Sequence, residues 1–153
     1  MENHRNPKRQ SWMAASLLSL VVATPMSNAA VDQAQLDRDF TLRVYPLLKE
    51  KCFACHGDDP KKIKGDLNLL TRADMLKGGE YSDKVLVPGK AEESDLYVAV
   101  TWEDEDLEMP PKENDRLTTE QITIVRDWIY NGAVWPDDSV QARYREEAGA
   151  VAE

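Results

Sequence analysis

The sequence predicts an all-α protein built as one small domain. Apolar residues recur at spacings of three and four in its longer segments, and no run alternates apolar with polar residues as a half-buried strand does. Gly, Pro and capping residues punctuate the chain at short intervals, as they do between short helices. At 153 residues there is room for one ordinary domain. Hydrophobic residues at 42% and charged residues at 31% give a globular balance, whereas 7% aromatics implies a modest core that a buried prosthetic group would supplement.

Residues 1–29 read as a secretory signal. His4, Arg5, Lys8 and Arg9 make a basic start, Met13 to Ala23 is a short apolar run, and Ser27-Asn28-Ala29 offers small residues for cleavage. A membrane span needs about 20 apolar residues, so no stable span is expected after cleavage. The reading implies an exported protein, periplasmic or otherwise extracytoplasmic. Removal of the signal takes three of the 19 Lys+Arg and one of the 28 Asp+Glu, leaving 16 against 27 and a net charge of −11. Nucleic acid and anionic lipid are poor partners for such a surface; a partner with a basic docking patch suits it better.

The folded domain is expected over 32–136. Leu36, Phe40 and Val44, spaced by four, form one apolar stripe of a first helix, and Pro46 either kinks that helix or starts a new one that leads into Cys52. Gly57 to Leu70 reads as a loop with the basic cluster Lys61, Lys62 and Lys64. Thr71 caps a short helix over Arg72 to Lys77 that Gly78-Gly79 ends. Val87-Pro88-Gly89-Lys90 is a turn, and Ser94 is read as the cap of a helix using Leu96, Ala99 and Val100. Thr118 and Gln121 make a capping box for the last strong helix, with Ile122, Val125 and Ile129 on its apolar face and Gly132 at its end. Residues 137–153, polar and rich in Ala and Glu, are expected to be a flexible tail or a weak helix.

The chemistry is concentrated in five residues. Cys52-Phe53-Ala54-Cys55-His56 has the Cys-x-x-Cys-His pattern of covalent haem c attachment. Two thiols three residues apart on a helical turn lie on one side and add to the two vinyl groups on one edge of a macrocycle, while the adjacent imidazole turns to the iron. With the signal removed, these are the only Cys and His residues of the chain. A structural zinc site within one chain therefore lacks its second pair of ligands. A redox dithiol and a plain disulfide remain as competing readings of the same pair.

A sixth iron ligand decides between electron transfer and small-molecule chemistry. Outside the signal the chain has two methionines, Met75 and Met109. Met75 lies in a predicted amphipathic helix and reads as filler. Met109 precedes Pro110-Pro111, which stiffen an irregular loop able to hold a thioether at a set distance; its alternative role is a loop side chain under an apolar lid. The acidic run Glu103, Asp104, Glu105, Asp106 and Glu108 reads either as a solvated loop or as a docking patch. Trp102, Trp128, Tyr130 and Trp135 are candidates to line a macrocycle, or ordinary core and helix-contact residues.

These residues together resemble a known family. Val44 through Gly57, Lys64-Gly65-Asp66-Leu67-Asn68-Leu69, Leu76-Lys77-Gly78-Gly79, Val87-Pro88-Gly89-Lys90, Glu93-Ser94-Asp95-Leu96, Met109-Pro110-Pro111-Lys112, Leu117-Thr118 and Trp128-Ile129 are similar, in that order, to the planctomycete-type cytochrome c domain, a relative of class I cytochromes c. The resemblance implies a helical fold wrapped round one covalently bound haem c, with Cys52 and Cys55 as attachment points and His56 and Met109 as axial ligands. It also implies that the helix containing Phe40 packs across the helix containing Trp128. The expected function is one-electron transfer between redox protein partners, without enzymatic turnover. The alternative is a haem-based sensor or peroxidase-like enzyme with an open or displaceable sixth position, against which the lack of a distal His weighs.

Overall fold

The computed structural model describes residues 32–151, and the expected signal at 1–29 lies outside the described residues. Helix α1 (Gln33–Asp39) begins where the Asp32 carboxylate accepts the Ala34 N–H at 3.2 Å. It runs directly into a π-helical segment, Phe40–Val44, and then into α2 (Tyr45–Lys51). Pro46 supplies the reason for the wide turn. It has no N–H, and its ring would press on the carbonyl four residues back, that of Leu42. Widening the turn before it, so that the Tyr45 N–H reaches the Phe40 carbonyl, carries the helix past the proline with Pro46 in the first turn of α2.

After α3 (Phe53–His56) comes the expected loop, which contains one 3₁₀ turn at Lys64–Asp66. Helix α4 (Arg72–Lys77) is capped as expected, with Thr71 Oγ1 accepting the Asp74 N–H at 3.1 Å and Gly78, at φ 80°, ending it. Helix α5 (Asp95–Thr101) follows Ser94, but Ser94 does not cap it through its side chain. The hydroxyl is fully buried. It accepts the Val87 N–H and donates to the Lys90 carbonyl, both at 2.9 Å, so it pins the Val87–Lys90 turn instead. Helix α6 (Thr119–Tyr130) has its full capping box: Thr118 Oγ1 accepts the Gln121 N–H and Gln121 Oε1 accepts the Thr118 N–H. Among the described residues there is no strand, in keeping with the all-α expectation.

The C-terminal segment, expected as a flexible tail or a weak helix, is helical. Helix α7 (Asp138–Val151) lies against α1 and the π-helical segment. Its composition misleads because only two of its side chains, Gln141 and Tyr144, are buried. Gln141 Nε2 donates to the Pro136 carbonyl at 2.8 Å, a bond shielded from water. Two buried side chains do not make an apolar stripe, yet they dock the helix.

Phe40 is the hub of the core, 1% exposed, with the rings of Trp135, Trp128 and Tyr45 centred 4.6, 6.0 and 6.1 Å away. The helical stretch containing Phe40 therefore packs against α6, as the resemblance implies. Trp128 also donates from Nε1 to the Val134 carbonyl at 2.8 Å, tying the end of α6 to the following connection. Trp128 and Trp135 are thus helix-contact residues. Met75 is completely buried and fills the core, as its helical position suggested. Arg72 links α4 to the end of α6 by donating from Nε to the Ala133 carbonyl at 2.8 Å.

Candidate functional site

Helix α2 delivers the cysteine motif. The Cys52 N–H still reaches the Leu48 carbonyl, but the backbone breaks at Cys52, φ −122°, and starts a new turn. In that turn the Cys55 and His56 N–H groups both point to the Cys52 carbonyl, at 3.2 and 3.0 Å. One turn thereby carries Cys52, Cys55 and His56, while Phe53 is buried beside Tyr45, ring centroids 5.7 Å apart, and anchors it to the core. Both cysteines are free thiols, Cys55 exposed and Cys52 half-buried. Burial, helped by the neighbouring Cys55, pushes the Cys52 thiol up to about 12. A dithiol poised for exchange requires the opposite shift, toward thiolate. Cys52 is therefore shifted away from the form that exchange chemistry uses.

The orientation of His56 is set from eleven residues away. Its Nδ1 lies 3.1 Å from the Leu67 carbonyl oxygen. A carbonyl can only accept, so Nδ1 carries the proton and the lone pair is left on Nε2, the tautomer a metal needs. Two further contacts hold residues 65–70, a strap that carries Leu67, against the motif. The Leu69 N–H donates to the His56 carbonyl at 2.7 Å, and Leu70 covers Gly57 so closely that a Cβ there would fall 2.6 Å from its Cγ.

The strap is itself braced by the turn after α4. The Glu80 N–H donates to the Gly65 carbonyl at 2.7 Å, and a Cβ on Gly79 would lie 2.7 Å from that same oxygen and 2.9 Å from Leu67 Cβ. Glycine at 79 is required by this close approach. The expected Leu76-Lys77-Gly78-Gly79 pattern is thus part of the support for His56.

Met109 sits on a separate loop hung from α5. Its N–H donates to the Ala99 carbonyl at 2.9 Å, and its carbonyl accepts Trp102 Nε1–H at 3.0 Å. The Arg116 guanidinium lies 3.5 Å from the centre of the Trp102 ring. With the backbone tied on both sides, the Met109 side chain is left 41% exposed. The acidic stretch Glu103–Asp106 in the same loop is exposed, and Asp104 turns it by accepting the Asp106 N–H. Tyr130 is exposed and bonds Glu92, on the far end of α6 from the capping box.

Among the described residues no three His, Cys, Asp or Glu side chains converge as a metal site. A metal here would need most of its ligands from elsewhere, as iron in a macrocycle has them. The chain fits haem c on its own chemistry: two free thiols on one turn, an imidazole with Nε2 available, an apolar Leu70 bordering that turn, and a thioether on a tied loop. A cavity of about 440 Å³ between α1, Arg72 and residues 132–140 and a groove between Leu36–Val44 and α6 touch none of these residues.

The site defines a class before it defines a family: a helical module that presents Cys-x-x-Cys-His with an oriented imidazole. Residues 52–113 match the family model described as planctomycete cytochrome C, from the first cysteine of the motif to just beyond Met109. That segment is similar to the planctomycete cytochrome C family, a likeness that points to a cytochrome c-like module. No curated protein and no solved structure matches the chain. Sequence reasoning named all four candidate ligands. It missed the Leu67 carbonyl, a backbone group with no sequence signature, and it listed Trp102 without seeing its bond to Met109.

Proposed function

We propose that this protein is a mono-haem c-type cytochrome that carries one electron at a time between extracytoplasmic redox proteins. Cys52 and Cys55 would hold haem c through thioether links, and His56 and Met109 would ligate its iron. The observation that carries this reading is the His56 Nδ1 bond to the Leu67 carbonyl, which presents Nε2 from the same turn as the two thiols. Bound haem c supplies a ferric/ferrous couple. The chain's own residues do the rest. Cys52 and Cys55 hold the group even when the domain opens, and the Leu67 bond keeps the imidazole in one tautomer and one plane. Met109 presents a soft thioether from a loop whose backbone is tied at Ala99 and Trp102. Ligation by both His56 and Met109 would leave the iron no position for substrate, which suits a carrier and not an enzyme.

The acidic surface, with the exposed Glu103–Asp106 run in the Met109 loop, supports a partner with a basic docking face. Among the described residues no helix is long and apolar enough to cross a membrane. The test is the optical spectrum of oxidised and reduced protein exported from a host that attaches haem c. A c-type spectrum with a methionine-to-iron charge-transfer band, lost in Met109→Ala, is expected. Ready carbon monoxide binding by the reduced wild type, without that band, would replace the carrier by an open-site sensor.

A further inference from the structure

We infer that Trp102 and Arg116 form a clamp that positions Met109 and sets how firmly its thioether is held. The inference rests on the reading of Met109 as the sixth ligand. Three observations carry it. First, the Met109 backbone is bonded on both sides of its Cα, by its N–H to the Ala99 carbonyl and by its carbonyl to Trp102 Nε1–H. The side chain alone is left untied. Second, Trp102 sits at the end of α5 with φ 60° and ψ 27°. A bulky residue in the left-handed region is unusual and costs free energy, and it persists only where other contacts over-determine it. Here those contacts are the Met109 carbonyl and the Arg116 guanidinium stacked 3.5 Å from the ring centre. Third, Arg116 precedes the buried Leu117 and the capping box of α6, so the stack ties the far end of the loop back to its beginning.

The loop from Trp102 to Arg116 is therefore closed on itself, with Met109 bonded to its closing residue. Pro110 and Pro111 restrict the stretch between Met109 and Arg116. Releasing Trp102 frees the Met109 carbonyl and lets the thioether swing from its place. Trp102 is a positioning residue that acts through Met109, and Arg116 acts through Trp102.

The test uses the haem-loaded protein, in wild type, Trp102→Phe and Arg116→Gln. Phenylalanine keeps a ring for Arg116 to stack on but removes the N–H. Exposed Arg116 can be changed without touching the core, so it decides the matter if Trp102→Phe fails to fold. Two readouts are followed: the imidazole concentration that removes half of the methionine charge-transfer band, and hydrogen exchange at the Met109 amide. We expect Trp102→Phe to need about three- to tenfold less imidazole, the range one lost hydrogen bond commands, with Arg116→Gln shifted in the same direction by less. The Met109 amide exchanges faster in both variants. Unchanged imidazole sensitivity and unchanged exchange in Arg116→Gln and in folded Trp102→Phe would overturn the clamp while leaving the ligand assignment intact. A wild-type protein with no methionine band would overturn the ligand assignment and the clamp with it.

Discussion

Phe40 is where the packing of this domain is concentrated, and Phe40→Ala measures how much the crossing of the first helical stretch and α6 contributes. The side chain is 1% exposed and meets three aromatic rings, Tyr45 from its own helical stretch, Trp128 from α6 and Trp135 from the connection to α7. Truncating a buried Phe to Ala costs about 3–5 kcal/mol through lost transfer free energy and the cavity left behind. The Trp128 and Trp135 rings are held in place, Trp128 by its bond to the Val134 carbonyl, so the surroundings collapse poorly into that cavity. The upper half of the range is therefore expected, about 4 kcal/mol. Against a typical domain stability of about 5–15 kcal/mol, this is a large share. Equilibrium urea unfolding of the haem-loaded protein, followed by far-ultraviolet circular dichroism, checks it through the midpoint at unchanged slope. A loss below about 1.5 kcal/mol would show that the crossing does not depend on this ring and would refute the reasoning.

Two further predictions follow from bonds described above. Gly79→Ala places a methyl group against the Gly65 carbonyl and Leu67, so the strap moves and the His56 bond lengthens; a loss of about 1–3 kcal/mol is expected in the same unfolding assay, with a shifted histidine ring resonance in the reduced protein, and an unshifted resonance would separate the strap from His56. In Tyr130→Phe, the Glu92 carboxyl, held below its ordinary 4.5 chiefly by the Tyr130 hydroxyl, titrates closer to that value by carbonyl NMR, and no change would show that the bond is not made in solution. The sign for stability follows from the two directions. The Glu92 contribution is present above 4.5 and lost as pH falls through the depressed value, whereas the Tyr130 phenol, raised above its ordinary 10.0 by the same bond, contributes below 10.0 and loses that contribution as pH rises through its own raised value.

What the sequence determined by itself is everything encoded within a turn or two of helix. The Thr118–Gln121 capping box, the Thr71 cap, the Gly78 stop and the turn at Val87–Lys90 are formed by residues within three or four positions of one another, so their side-chain and backbone partners are adjacent in the text. The cysteine motif is legible for the same reason, since both thiols and the imidazole ride on one turn. Pro46 announced a disturbance, and only its form, a widened turn instead of a break, needed the structure.

The tertiary structure decided what depends on contacts between distant segments. Nothing in Leu67 marks it as the partner of His56, because the contact is made by a backbone carbonyl that every residue possesses. Ser94 has the right residue type and place for a helix cap, yet burial gave its hydroxyl nearer partners at Val87 and Lys90. Helix α7 reads as a tail or a weak helix because two buried side chains leave no stripe in the sequence, and its docking against α1 and the π-helical segment is visible only in the fold. Trp102 likewise acquires its role only when folding brings the Met109 carbonyl to its ring N–H and Arg116 over its face. Local hydrogen-bonding geometry is written in neighbouring residue types, whereas a partner across the fold is chosen by which surfaces exclude water together.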